Sequence, residues 1–183
     1  MSGDSVFRNP SSAHGDRELP EIAANGMSVT TVGLTMSGTS MAAPAAAGGV
    51  ALIQSVDGTL KSWPEGCRAI LMAAAKKNVA GQTWWKDVIA NVDASDGSGA
   101  GDALEAVEIA QQRRSRNAAA TARGWDVGTL RSSDIGANQR STFSYSVKLG
   151  AGFFAPRHVK VALAWDSETA RSRRSRSLGS TSC

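Results

Sequence analysis

The sequence predicts an α/β fold, and three patterns along its 183 residues lead to this prediction. Residues 27–35 (M-S-V-T-T-V-G-L-T) are rich in Val and Thr, which is typical of a β-strand. Two stretches with helical character follow, the first of them dominated by Ala. Nearer the end, residues 141–149 and 158–165 carry apolar side chains at every second position, which predicts half-buried strands of an antiparallel sheet.

The composition is that of a protein with a packed core, because 42% of the residues are hydrophobic and 20% are charged. No apolar stretch reaches the roughly 18 residues that a membrane-spanning helix needs, so we expect no membrane partner. The first residues lack the apolar centre of a signal peptide, and they assign no compartment. The two cysteines, Cys67 and Cys183, do not suggest a disulfide framework.

The net charge of +4 comes from a short terminal segment. Lys and Arg number 20 against 16 Asp and Glu, and residues 171–183 contain four Arg and no acid, so the remainder is neutral. We therefore do not expect a nucleic-acid-binding fold. The Arg-Ser alternation within residues 167–183 predicts a disordered basic tail, and RNA binding through this tail stays open as an alternative.

The first helix is predicted to begin at Thr39 or Ser40, either of which can act as the N-cap. Pro44 is expected in the first turn, where its missing N–H costs little. The helix should end near Ser55, before the turn signal of residues 57–58.

Residues 59–79 predict a second helix with Ser62 as a candidate N-cap. Its apolar residues recur at helical spacing and predict a buried face formed by Cys67, Ile70, Leu71 and Ala74. Cys67 is interpreted as a core thiol rather than as a metal ligand or a redox group.

Acidic residues and glycines between positions 93 and 102 raise the alternative of a calcium loop. The spacing D-x-[DN]-x-[DN]-G with a later Glu is absent, so a calcium loop is not favoured. We expect no metal site and no cofactor.

The stretch Gly38-Thr39-Ser40-Met41-Ala42-Ala43-Pro44 places a serine at the entrance of a helix. Free backbone N–H groups and the positive end of the helix dipole lie at such an entrance, and they suit a nucleophile whose reaction develops an oxyanion. The seven residues resemble the nucleophile motif of the subtilisin-like serine peptidases (subtilases), G-T-S-M-A-x-P followed by A-G. Residues 18–26 and 96–106 are similar to two further family segments that occur in the same order. The similarity of residues 96–106 implies that Asp102 is the N-cap of a third helix, 103–113.

The resemblance implies a serine endopeptidase that acts on polypeptides, with Ser40 as nucleophile and with Gly38, Thr39 and Met41 around the substrate and the oxyanion. It also implies the C-terminal part of a catalytic domain with a parallel sheet and flanking helices, followed by an incomplete antiparallel β-sandwich. We place the catalytic-domain part at residues 1–115, a linker at 116–124, the sandwich at 125–166 and the basic tail at 167–183.

In subtilases an aspartate and a histidine form a catalytic triad with the serine, and the motifs that carry these two residues are not found in this sequence. The family's D-[ST]-G and H-G-T motifs are absent, and His14, which precedes Gly15-Asp16, is interpreted as a loop residue rather than as the base. We therefore expect this chain to be inactive by itself. One alternative is a noncatalytic interaction or structural protein in which residues 38–44 only begin a helix. The G-x-S-x-G pattern of α/β-hydrolases does not fit, because its fifth position is Ala42.

Overall fold

Three α-helices and a short β-hairpin form the regular structure of the part of the chain that is described. The computed structural model describes residues 21–76, 98–116, 118–138, 140–149 and 159–165. Short 3₁₀ helices occupy Gly58–Ser62 and Ser132–Asp134. In chain order the strands and helices are β1 (Val29–Thr31), β2 (Leu34–Met36), α1 (Thr39–Val56), α2 (Pro64–Ala74) and α3 (Ala103–Ala110).

The hydrophobic core lies where the three helices meet. Ile53 of α1, Leu60 of the 3₁₀ helix and Ile70 of α2 have no more than 1% of their surface exposed. The other buried members of the core are Cys67, Leu71, Ala74, Ala106, Ile109, Ala110 and Trp125. The prediction of a buried face on the second helix is therefore confirmed, and Cys67 is a core residue whose thiol donates to the Leu60 carbonyl at 3.4 Å.

Helix α1 has the predicted extent, but its beginning differs from the prediction. The N-cap is Gly38, and neither Thr39 nor Ser40 makes a side-chain capping bond. Pro44 is the sixth residue of the helix and not part of its first turn. The C-cap of the helix is Asp57, whose carboxylate accepts from the Thr59 N–H at 2.9 Å and from the Thr59 hydroxyl at 2.6 Å. These hydrogen bonds hold the pKa of Asp57 below its usual value.

The single strand predicted over residues 27–35 is a hairpin. Strands β1 and β2 pair in antiparallel register, with Thr30 opposite Thr35, and the two hydroxyls of this pair lie 2.8 Å apart. Val32 and Gly33 form the turn, with φ values of 44° and 79°. Both central residues of a type I′ turn have positive φ, a conformation that is unfavourable for a β-branched residue such as Val32. The sequence therefore did not indicate a turn at this position.

Replacing Val32 by Asn is expected to stabilise the hairpin by about 1 kcal/mol, because Asn tolerates the left-handed conformation. Val32 is 95% exposed, so the substitution removes no packing. Amide exchange within β1 and β2 should slow by about fivefold. Val161→Asn changes another exposed valine that lies outside a turn and should leave the hairpin unchanged. Equal exchange in the two variants would contradict this account.

The second and third helices are shorter than predicted. The 3₁₀ helix Gly58–Ser62 precedes α2, and Trp63 rather than Ser62 is the N-cap. Pro64 at the first position of α2 explains this start, because proline favours that position. Helix α3 ends at Ala110 rather than at residue 113.

Residues 98–101 connect α2 and α3 to the segment that precedes the hairpin. Ala100 forms a parallel bridge with Ala23 and an antiparallel bridge with Lys76. The Ala23 N–H donates to the Gly99 carbonyl at 2.9 Å, and the Gly101 N–H donates to the Ala23 carbonyl at 2.8 Å. These backbone bonds join the segment before the hairpin to the end of α2 and the start of α3.

The two strands predicted near the end of the chain are not formed in the residues that are described. Residues 140–149 contain one isolated bridge, between Val147 and Thr121, and residues 159–165 contain no strand. The apolar side chains of both alternating patterns are exposed, from 41% at Phe143 to 81% at Val161. Alternation alone does not supply the partner strand that a buried face requires.

Among the residues that are described, no helix is both long and apolar enough to cross a membrane.

Candidate active site

Ser40 is the second residue of α1 and is exposed to solvent. The residue before the helix, Gly38, has φ 150° and ψ 169°, a backbone conformation that residues other than glycine rarely adopt. Thr39 is exposed and Met41 is half-buried. The four residues predicted at the site therefore lie consecutively at one helix entrance, with the serine accessible.

Backbone donors lie beside the serine. The N–H groups of Met41 and Ala42 both donate to the Gly38 carbonyl, at 3.0 and 3.4 Å. Within the described part of the chain, the N–H groups of Thr39 and Ser40 have no acceptor. Donors at a helix N-terminus carry a partial positive charge and need no reorganisation to bind an oxyanion.

The Ser40 hydroxyl does not cap the helix. Had Ser40 been the N-cap, as the sequence allowed, its oxygen would accept a bond from a backbone N–H of the first turn. Because Gly38 takes the N-cap position, the hydroxyl is available to react with another group. Glycine is tolerated at this position at little cost to the helix.

Gly26 forms a backbone hydrogen bond with Gly38, the N-cap of α1. Its carbonyl accepts from the Gly38 N–H at 2.7 Å. A Cβ atom added at Gly26 would lie 2.5 Å from the Gly38 carbonyl oxygen and 3.2 Å from the Ala42 Cβ. The Ser28 N–H donates to the Ser37 hydroxyl at 2.8 Å and joins the same two segments. The sequence did not identify Gly26 as a residue that supports the site, although a glycine can mark a close approach of two backbone segments.

Replacing Gly26 by Ala is expected to destabilise the chain by about 1–3 kcal/mol, because backbone has to move to admit the methyl group. The same substitution at Gly48, a position within α1 that has no neighbour within 4 Å, should stabilise the chain by about 1 kcal/mol through helix propensity. Urea unfolding of the two variants measures both effects. A loss of stability no larger for Gly26→Ala than for Gly48→Ala would contradict the proposed contact.

No histidine is among the residues that the structure describes, since His14 and His158 both lie outside them. The described residues also contain no group of three His, Cys, Asp or Glu side chains placed to hold a metal ion. What this region offers chemically is therefore a serine hydroxyl with neighbouring backbone N–H donors.

Asp102 caps α3, as predicted. Its carboxylate accepts from the Glu105 N–H at 3.0 Å and forms an ion pair with Lys76. The Lys76 ammonium, followed by the Glu105 N–H, holds the pKa of Asp102 below its usual value. The carboxylate thus caps α3 and also contacts Lys76, the residue that forms the bridge with Ala100.

A family model described as the subtilase family matches residues 4–106, which is more than half of the chain. The chain belongs to the subtilase family. The matched region contains the hairpin, α1, α2 and the beginning of α3, and Ser40 lies within it. No curated protein and no solved structure matched the chain.

Membership of the subtilase family confirms the resemblance found in the sequence. The family is one of serine peptidases, which are hydrolases that act on polypeptides. The three helices and the two-stranded antiparallel sheet found in the described residues are compatible with the predicted α/β class.

Proposed function

We propose that this chain carries the nucleophile of a subtilisin-like serine endopeptidase and that Ser40 is this nucleophile. The observation that carries the proposal is the place of Ser40, exposed at the second position of an 18-residue helix within the family-matched region. The neighbouring N–H groups without an acceptor in the described residues support it further. A helix-initiating turn without a catalytic role would account for the serine, but not for membership of a peptidase family.

The proposed chemistry is acyl transfer. The Ser40 Oγ attacks the carbonyl carbon of the scissile peptide bond while a general base takes the hydroxyl proton. The carbonyl oxygen becomes an oxyanion, which the N–H groups at the start of α1 stabilise, with Gly38, Thr39 and Met41 around it. The C–N bond then breaks as the amine leaves with the proton. Water hydrolyses the remaining ester and restores the serine.

The general base has to come from a histidine that an aspartate orients. The motifs in which subtilases carry these two groups, H-G-T and D-[ST]-G, do not occur within these 183 residues. We therefore propose that peptide hydrolysis requires a polypeptide segment that supplies both groups, and that the chain is inactive without it.

We also propose that the described helices pack on the parallel sheet of an α/β catalytic domain. Support comes from the parallel bridge between Ala23 and Ala100, which pairs the segment before the hairpin with the segment before α3. Helices on the faces of a mostly parallel sheet are the usual arrangement of α/β folds.

A hybrid enzyme tests the function. Residues 21–110 of this chain replace the corresponding segment of an active subtilase, which then supplies the aspartate and the histidine. We expect the hybrid to hydrolyse a fluorogenic peptide, whereas the 183-residue chain alone does not. A hybrid that is folded by circular dichroism, yet fails to hydrolyse the peptide, would contradict the proposal.

A further inference from the structure

Lys160 contacts the helical core from a distant part of the sequence. It lies in the segment 159–165, well beyond the family-matched residues 4–106. Its ammonium nitrogen donates to the Ala75 carbonyl at 2.6 Å and to the Ser98 carbonyl at 2.9 Å. The side chain is half-buried at this contact.

The two acceptors flank one segment of the chain. Ala75 is the C-cap of α2, and its N–H donates to the Leu71 carbonyl at 3.0 Å. Ser98 lies two residues before Ala100, which pairs with Lys76 through hydrogen bonds of 2.8 and 3.0 Å. One ammonium group thus bonds to the residue before the 76–97 segment and to the residue after it.

The chemistry favours a cation at this place. Carbonyl groups at the C-terminal end of a helix carry a partial negative charge, which attracts an ammonium group. Burial lowers the pKa of the Lys160 ammonium to about 8, so at pH 7 the group is still mostly charged and keeps its three hydrogens. Removing it leaves both carbonyls without this donor.

We propose that Lys160 is a latch that fastens the segment 159–165 to both ends of the 76–97 segment. The latch holds Ala75 and Ser98 together at the place where the bridge between Lys76 and Ala100 forms. The segment 159–165, which lies beyond the family-matched region, thereby helps to hold the end of α2 and the segment that precedes α3 in place. This inference does not depend on the assignment of Ser40 as nucleophile.

The test compares Lys160→Met with Lys148→Met in the full chain. Methionine keeps an unbranched apolar side chain and removes the donor, while Lys148 is exposed in the described structure and serves as the matched control. Amide hydrogen exchange at Lys76 and Ala100 should become about tenfold faster in Lys160→Met and stay unchanged in Lys148→Met. The core amides of Ile70 and Ile109 should exchange as in the unchanged chain.

Two outcomes of the exchange experiment would overturn the latch. One is unchanged exchange at Lys76 and Ala100 in Lys160→Met. The other is an equal acceleration at Ile70 and Ile109, which would indicate a general loss of stability rather than a local fastening.

A second measurement uses the unchanged chain and therefore does not depend on the folding of a variant. Two-dimensional NMR at pH 5, where both amines are protonated, compares the ammonium hydrogens of Lys160 and Lys148. Hydrogen bonds to two carbonyls should slow the exchange of the Lys160 ammonium hydrogens with water at least fivefold relative to those of the exposed Lys148, and the difference should disappear in urea. Equal exchange rates in the folded chain would overturn the proposal.

Discussion

Replacing Ser40 by Ala is expected to abolish peptide hydrolysis by the hybrid enzyme, with kcat falling by about 10⁶-fold. The reason is that in the proposed mechanism this hydroxyl forms the covalent bond to the substrate, and alanine has no nucleophilic group. Fold and stability should change little, because Ser40 is exposed and makes no capping bond. Peptide hydrolysis under saturating substrate measures the loss.

Ser55→Ala is the matched control for this prediction. Ser55 lies in the same helix, is exposed, and uses its hydroxyl to donate to the Leu52 carbonyl at 2.7 Å. Its removal should leave kcat within about twofold, as expected for an exposed residue away from the site. If Ser40→Ala and Ser55→Ala retained similar activity, Ser40 would not be the nucleophile.

Replacing Trp125 by Ala is expected to cost about 3–5 kcal/mol of unfolding free energy. Trp125 is 7% exposed and belongs to the hydrophobic core that the three helices share. Its indole N–H donates to the Ala110 carbonyl at 2.9 Å, and the Arg113 guanidinium carbon lies 5.2 Å from the ring centroid. The substitution therefore opens a cavity and removes a buried hydrogen bond at the end of α3.

The control is Trp165→Ala, which removes the same side chain from a position that is 55% exposed. Its effect should stay within about 0.5 kcal/mol. Urea unfolding followed by circular dichroism measures both variants. A loss for Trp125→Ala as small as that for Trp165→Ala would contradict the contribution of Trp125 to the core.

Local patterns predicted the helices because local interactions determine them. The Ala-rich run and the turn signal at residues 57–58 predicted α1, and the helical spacing of Cys67, Ile70 and Leu71 predicted the buried face of α2. Asp102 was identified as a cap from the similarity of residues 96–106 to a family segment, and a short acidic side chain directly before a helix suits that role. Each of these signals acts over a few residues.

The features that the sequence did not predict depend on contacts between distant residues. Val32 adopts positive φ within a hairpin, although valine is not a turn residue. Trp125 follows a stretch without periodicity, so nothing local indicated that it enters the core. The alternating residues 141–149 lack the partner strands that their pattern requires.

The helix entrance at residues 38–41 was predicted from the sequence, but the contacts that support it were not. Residues 38–41 were identified from their motif, and they do lie at the start of a helix. The bond between Gly38 and Gly26 could not be predicted, because it joins residues 12 positions apart through backbone atoms that any sequence possesses. A close backbone approach of this kind is signalled only by a glycine.

Labelling with a fluorophosphonate tests the central claim most directly, since these reagents react with an activated serine. In the hybrid enzyme, peptide mapping should find the phosphonate adduct on Ser40. The isolated 183-residue chain should remain unlabelled at Ser40 under the same conditions, because it lacks the family's histidine motif. Efficient labelling of Ser40 in the isolated chain would contradict the proposed requirement for a second segment. An active hybrid labelled at another residue would contradict the assignment of the nucleophile.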